Sequence, residues 1–91
     1  MAEVVWTRRS LADLDAIRTY IGAFSPLASQ RFALRLIAAG EALSAQPDRG
    51  RALPGGCREL TIVPPYLIRY RVRGEVVEVL TVRHGARALG G

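Results

Sequence analysis

The sequence predicts an α+β domain in which a helical hairpin packs on a small, mainly antiparallel sheet, in the order β-α-α-β-β-β. Three observations support this fold class. Residues 11–45 carry apolar side chains at helical spacing, with one Gly- and Pro-containing break. Residues 56–87 alternate between apolar and polar side chains around tight turns. The 91-residue chain has no long linker, so we expect one domain, residues 1–91.

The first strand and the first helix meet at Thr7. Residues 4–6 are β-type and form a short strand, and Thr7 is the expected N-cap of the helix. The apolar stripe that follows has steps of three and four residues, which predicts about four helical turns. Its members are Leu11, Leu14, Ile17, Ile21 and Phe24. We expect Asp13, Asp15 and Arg18 on the solvated side.

The second helix begins after Ser25, the expected N-cap, with Pro26 in the first helical position. It is predicted over residues 27–45, and Pro47 prevents its continuation. The residues expected on its inner face are Phe32, Leu36, Ala39 and Leu43. Because the connection between the helices is short, they form an antiparallel hairpin.

The last third of the chain predicts a three-stranded meander after a loop at residues 48–56. In residues 66–72, period-2 alternation places Arg69 and Arg71, followed by Arg73, on one face and apolar side chains on the other. A turn at residues 73–75 leads into the β-branched run 76–82. The predicted core consists of Trp6, Leu14, Ile17, Phe32, Leu36, Leu60, Tyr70 and Leu80.

The composition limits the classes of function. The formal net charge is +5 and the pI is about 10.7, which favours nucleic acid, phosphate or an acidic protein as partner. One Cys and one His supply neither an internal disulfide nor the ligands of a structural zinc site, so we expect no metal and no cofactor. No apolar run approaches a membrane span. The expected location is the cytoplasm.

Arginines are concentrated near the end of the chain. Arg69, Arg71, Arg73, Arg83 and Arg87 are able to share one end and one face of the meander, with Arg51 and Arg58 in the approach to it. Such a patch binds a phosphate backbone. The alternative is a solvated sheet face on which arginines prevent edge-to-edge association. Charge alone does not separate these two interpretations.

Cleavage of RNA through its own 2′-OH needs a base, an acid and a group that stabilises charge on the phosphorus. The candidates for proton transfer are His84, Glu59, Tyr66 and Tyr70. His84 has the suitable unperturbed pKa, but one residue does not make an active site. We expect Glu59 to pair with an arginine, and we disfavour a Cys57–His84 nucleophile and base.

At this point the residues resemble a known family. The chain is similar to the RelE/ParE superfamily of bacterial toxins from type II toxin–antitoxin modules, over nearly all 91 residues. The matching features are the Thr7-led helix ending near Tyr20-Ile21, the second helix ending in Leu43 and then Pro47, Gly50-Arg51, Arg58-Glu59-Leu60, the run 65–72, and His84-Gly85-Ala86-Arg87. No one of these motifs is specific, but their order and spacing are.

Two positions favour the ParE branch of that superfamily. RelE-like nucleases carry an Arg where this chain has Leu67, and a Tyr near the C-terminus that is missing after Arg87. The resemblance therefore implies a toxin that inhibits DNA gyrase and blocks replication, and not an enzyme. It implies a ParD-like antitoxin as partner in a hetero-oligomer that contacts operator DNA through the antitoxin. We expect an acidic, apolar antitoxin tail to follow the groove between the helices and the sheet.

The resemblance leaves the active residues open. Under the gyrase hypothesis, the toxicity surface consists of Arg83, His84 and Arg87, with Arg69 and Arg71 contributing charge. Under the alternative, an mRNA endonuclease acting at the ribosome, His84, Arg87 and Arg69 are the catalytic candidates. A third possibility is a decayed toxin that only binds its antitoxin. No antitoxin-binding residues are predicted.

Overall fold

The computed structural model describes residues 1–85 and shows two helices packed on a five-stranded mixed sheet. The elements are β1 (Glu3–Trp6), α1 (Arg8–Gly22), α2 (Pro26–Glu41), a 3-10 turn (Ala42–Ser44), β2 (Arg51–Ala52), β3 (Cys57–Val63), β4 (Tyr66–Arg73) and β5 (Val76–His84). The strand order is β1-β5-β4-β3-β2, with β1 parallel to β5 and the other pairs antiparallel. The α+β class and the hairpin are confirmed, and the predicted loop contains the short β2.

Both predicted N-caps are present. The Thr7 hydroxyl accepts a hydrogen bond from the Ser10 amide at 3.2 Å, and the Ser25 hydroxyl accepts one from the Ala28 amide at 3.2 Å. These bonds satisfy amides that the first helical turn leaves without partners. Thr7 also donates to the Val79 carbonyl of β5 at 2.8 Å. The start of α1 is thereby fixed against the sheet.

The buried side of α1 is displaced from its predicted position. Leu11 and Phe24 are 53% and 78% exposed, so their assignment to the inner stripe was wrong. Leu14 is buried and Ile17 packs on the core, while Ser10 replaces Leu11 at the start of the stripe. Ser10 tolerates burial because its hydroxyl donates to the Thr7 carbonyl at 2.8 Å.

A β-bulge changes which residues of β5 are buried. Arg69 lies opposite Thr81 and Tyr70 lies opposite Val79, so Leu80 has no partner across the ladder. Beyond the bulge the alternation is reversed, and Val82 is buried. The prediction of Leu80 as a core residue was therefore wrong, since the extra residue displaces it to a half-buried position.

The other predicted core positions agree with the structure. Leu14, Leu36, Leu60 and Tyr70 are buried, and Trp6, Ile17 and Phe32 are partly buried against the same cluster. Trp6 is accommodated because α2 presents a glycine to it. A Cβ on Gly40 would lie 2.4 Å from the Trp6 indole, which is closer than real contacts allow. The small residues of α2 thus permit close packing.

Tyr70 joins the core to the loop before β2. Its side chain is fully buried, and its hydroxyl donates to the Pro47 carbonyl at 2.7 Å and accepts from the Gly50 amide at 2.8 Å. Gly50 is required here because a Cβ would approach the Tyr70 hydroxyl to 2.7 Å. These two hydrogen bonds fix the loop between the helical hairpin and β2 against the core.

We predict that Tyr70→Phe lowers the free energy of unfolding by about 2 kcal/mol, because it leaves the Pro47 carbonyl and the Gly50 amide unpaired in the interior. Urea denaturation of the two proteins measures the difference. Leu34→Ala, at a 61% exposed position, is the control. A loss below about 0.5 kcal/mol for Tyr70→Phe contradicts the assignment.

Candidate functional site

The sheet face that the helices leave open carries a carboxylate held between two arginines. Glu59 accepts hydrogen bonds from Arg69 at 3.1 Å and from Arg51 at 3.0 Å. Arg69 is the main reason that the pKa of the Glu59 carboxyl lies below its ordinary value of 4.5, Arg51 acts in the same direction, and burial opposes both. Glu59 therefore pairs with arginines, as predicted. Arg58 instead binds the Gly50 carbonyl at 2.7 Å.

A second carboxylate on this face is arranged in the same way. Glu78 pairs with Arg71 at 3.0 Å and lies 3.8 Å from Arg73. The shared face predicted for Arg69, Arg71 and Arg73 is confirmed. The charge of these arginines is partly neutralised there, which agrees with the solvated-face interpretation of the arginine pattern.

We predict that Glu59→Gln destabilises the protein by about 1 kcal/mol at neutral pH, mainly through loss of the half-buried Arg69 partner. A carboxyl whose folded pKa is lowered stabilises the fold above its unfolded pKa, and that stability is lost as the pH falls through the folded value. The difference from the parent protein therefore shrinks below pH 4.5.

Urea denaturation at neutral pH and at about pH 3 measures this effect. Glu3→Gln, an exposed position without an ion pair to residues 1–85, is expected to match the parent protein at both values. A Glu59→Gln deficit that is equal at both pH values would show that the arginine pairs do not provide the stability.

On the helix side of the sheet, three rings meet edge to face, and we call them the aromatic row: Phe32, Tyr66 and His84. His84 lies opposite Tyr66 in the β4–β5 ladder, and their rings meet edge to face with centroids 5.5 Å apart. Phe32 of α2 meets the other side of Tyr66 at 5.6 Å. This arrangement holds His84 against the domain through ring contacts on an element fixed by the sheet.

A pocket of about 310 Å³ lies beside the aromatic row, between α1 and the end of β5. The lining includes Arg9, Asp13, Ile17, Tyr66, Arg83 and His84. Apolar residues, two arginines, an aspartate and a histidine border it, and its size is at the lower end for small-ligand sites. The pocket thus contains two of the residues predicted for toxicity.

Asp13 attaches α1 to the strand that carries this pocket. One carboxylate oxygen accepts from the Val82 amide at 3.0 Å, and the other accepts from Arg9 at 3.2 Å. The expectation that Asp13 lies on the solvated side of α1 was wrong. β1 pairs with β5 only as far as Val79, so the Val82 amide needs a partner from the helix.

The structure divides the predicted toxicity residues between two faces. His84 lies opposite Tyr66 at the pocket on the helix side, whereas Arg69 and Arg71 lie on the open face in ion pairs, and Arg83 lies opposite Leu67 on that open face at the border of the pocket. Arg87 lies outside the described residues. The site therefore differs from one continuous patch that includes all five positions.

The geometry also bears on the disfavoured chemistries. Cys57 lies opposite Arg71 at the far end of the sheet from His84, so the two do not form a nucleophile and base. Leu67 is 9% exposed and carries no charge to stabilise a phosphorane.

Within residues 1–85, no three His, Cys, Asp or Glu side chains are grouped to hold a metal ion, and neither helix is long and apolar enough to cross a membrane.

Sequence reasoning missed three residues that line the pocket: Arg9, Asp13 and Tyr20. Their spacing of four and seven residues places them on one side of a helix. The available signal was this mixed polar stripe on α1. The apolar stripe beside it is the stronger pattern in the sequence and hides it.

Comparison with known proteins supports one class, the toxins of bacterial toxin–antitoxin systems. Residues 4–89 match the family described as the ParE toxin of type II toxin-antitoxin system, parDE. The structure resembles a chain of the chromosomal ParDE system from P. aeruginosa, with a TM-score of 0.79 and 27% identity over 92% of this chain and 96% of that one.

Two curated relatives come from Caulobacter vibrioides. Toxin RelE2 is 58% identical over 87 residues, covering 96% of this chain and 99% of the relative. Toxin RelE1 is 32% identical over 80 residues, covering 85% and 86%. The chain belongs to the ParE toxin family, within the RelE/ParE superfamily of type II toxin–antitoxin toxins.

Proposed function

We propose that this toxin acts in the cytoplasm by binding DNA gyrase without covalent chemistry, which blocks replication, and that a ParD-like antitoxin neutralises it by direct binding. The observation that carries the proposal is Leu67. This buried apolar side chain occupies the position where RNA cleavage in the superfamily would require a cation. A protein without that stabiliser is better suited to act by binding its target.

The contacts of the other nuclease candidates support the same proposal. The Arg69 guanidinium is held by Glu59 on the open face, and His84 packs on Tyr66 on the other side of the sheet. His84 lies opposite Tyr66, which is three residues from Arg69 along β4, so the two positions are about 10 Å apart along the strand direction. A stabiliser and a proton carrier on opposite faces do not reach the same phosphate.

The second candidate is a ribosome-dependent mRNA endonuclease, which the RelE names of the two Caulobacter vibrioides relatives favour. In that case His84, Arg87 and Arg69 are the catalytic residues, and operator DNA contact through the antitoxin complex remains as before. This candidate requires His84 to transfer the proton and another arginine to replace the one that is missing at position 67.

We predict that expression of this chain without an antitoxin stops DNA synthesis and induces the DNA-damage response, while mRNA remains intact. Pulse labelling of DNA together with RNA integrity profiles measures both. Expression of the chain with an early stop codon is the control. Rapid mRNA cleavage with continuing DNA synthesis would replace the gyrase proposal by the endonuclease one.

We predict that Arg83→Ala combined with His84→Ala lowers toxicity at equal expression, because both residues belong to the end of β5 that borders the pocket. Growth after induction measures the loss, and circular dichroism checks the fold. Arg49→Ala, at an exposed loop position, is the matched control. Full toxicity of the double variant would remove these two residues from the proposed toxicity surface.

A further inference from the structure

The side of α2 that faces away from the sheet carries a row of exposed residues with coiled-coil spacing. We call this row the α2 stripe, and it consists of Leu27, Arg31, Leu34, Ala38 and Glu41. The steps between these residues are four, three, four and three positions, which keeps the side chains in one line along a helix. Leu27 and Leu34 are 57% and 61% exposed, so the stripe presents apolar surface that the domain does not cover.

The surface on both sides of the α2 stripe is indented. A groove of about 510 Å³ between α1 and α2 includes Leu34 and Ile37 in its lining. On the other side, a pocket of about 280 Å³ at the start of α2 includes Leu27 and Arg31. Depressions next to a line of protruding side chains are what a second helix needs in order to pack its own side chains between them.

The two charged members of the α2 stripe have opposite signs and lie towards opposite ends of the helix. Arg31 and Glu41 are ten positions apart, or about 15 Å along the helix axis. Neither forms an ion pair with another residue among residues 1–85. A helix with this arrangement is complementary to an antiparallel copy of itself, whereas a parallel copy would bring like charges together.

We propose that the α2 stripe binds a second copy of this chain, with the two α2 helices antiparallel about a two-fold axis level with position 36. Each Arg31 then lies opposite Glu41 of the partner subunit, which gives two ion pairs per dimer. Each Leu34 lies opposite Ala38 of the partner subunit, so a large side chain meets a small one at both central layers. This self-association does not depend on the target of the toxin.

The composition of the α2 stripe favours a second copy over a nucleic acid. Glu41 would repel a phosphate backbone, and the apolar Leu34 between the two charges would gain nothing from it. A second copy satisfies both charges and covers both leucines. Because one helix per chain is a small interface, we expect a dissociation constant of about 10–100 µM, with the monomer predominating in dilute solution.

The test is sedimentation equilibrium of the purified chain from about 1 to 500 µM at about 0.15 M salt. Five proteins are compared: the parent, Arg31→Glu, Glu41→Arg, the variant with both substitutions, and Arg35→Glu. The double variant keeps the net charge of the parent and exchanges the two ends of each ion pair. Arg35→Glu makes the same change of charge as Arg31→Glu at an exposed position of α2 outside the stripe, and it is the matched control. Circular dichroism verifies that each variant is folded.

We expect the parent to dimerise, and each single substitution within the α2 stripe to weaken dimerisation by about tenfold or more, because two contacts between like charges replace two ion pairs. The double variant is expected to dimerise within about threefold of the parent, and Arg35→Glu to match the parent. A parent chain that stays monomeric overturns the proposal and leaves the stripe to another protein or to a lipid surface. The antiparallel pairing is also overturned if the double variant is no stronger than the single ones, or if Arg35→Glu weakens dimerisation as much as Arg31→Glu.

Discussion

The end of the molecule that carries the candidate site depends on how the hydrogen bonding of β5 is completed beyond the end of β1. β1 accompanies β5 only to Val79, and the chain then turns into α1. Thr7 bonds to the carbonyls of Val79 and Leu80, and Asp13 accepts from the Val82 amide. Without these partners, several backbone groups of the strand edge would have no hydrogen bond, which would destabilise the fold. The helix therefore replaces the missing strand, and the space between helix and strand becomes the pocket.

The distribution of charge separates the two sides of the sheet. On the open face, two glutamates neutralise part of the charge of four arginines and hold them in place. Around the aromatic row, Arg31, Arg35 and Arg83 have no such partners within residues 1–85. Charge that is not compensated within a domain remains available to a partner. The net charge of +5 is thus informative because of where the unpaired arginines lie.

Local rules were sufficient for most of the fold. Cap chemistry located Thr7 and Ser25, and period-2 alternation identified Ile68 and Tyr70 as buried. The failures arose where one residue changes the phase of a pattern. The bulge at Leu80 reversed the alternation of β5, and no local signal in a run of β-branched residues announces such an insertion.

The candidate site was less predictable than the fold, because its residues come from distant parts of the chain. Arg83 and His84 were identified from polar density, but the pairing of Asp13 with Val82 spans 69 positions and has no sequence signature. The sequence also suggested a single arginine patch, whereas strand alternation separates Arg69 from His84 onto opposite faces.

The placement of Arg69 and His84 on opposite faces of the sheet favours binding over catalysis as the role of these residues. A phosphoryl-transfer site needs its cation and its proton carrier on the same side of one phosphate. Here Leu67 occupies the intervening position on the open face, and Arg83 lies opposite it on β5. His84 instead lies with the aromatic rings at a pocket on the helix side. An arrangement of this kind suits recognition of a protein by shape and charge, as the proposed mode of action requires.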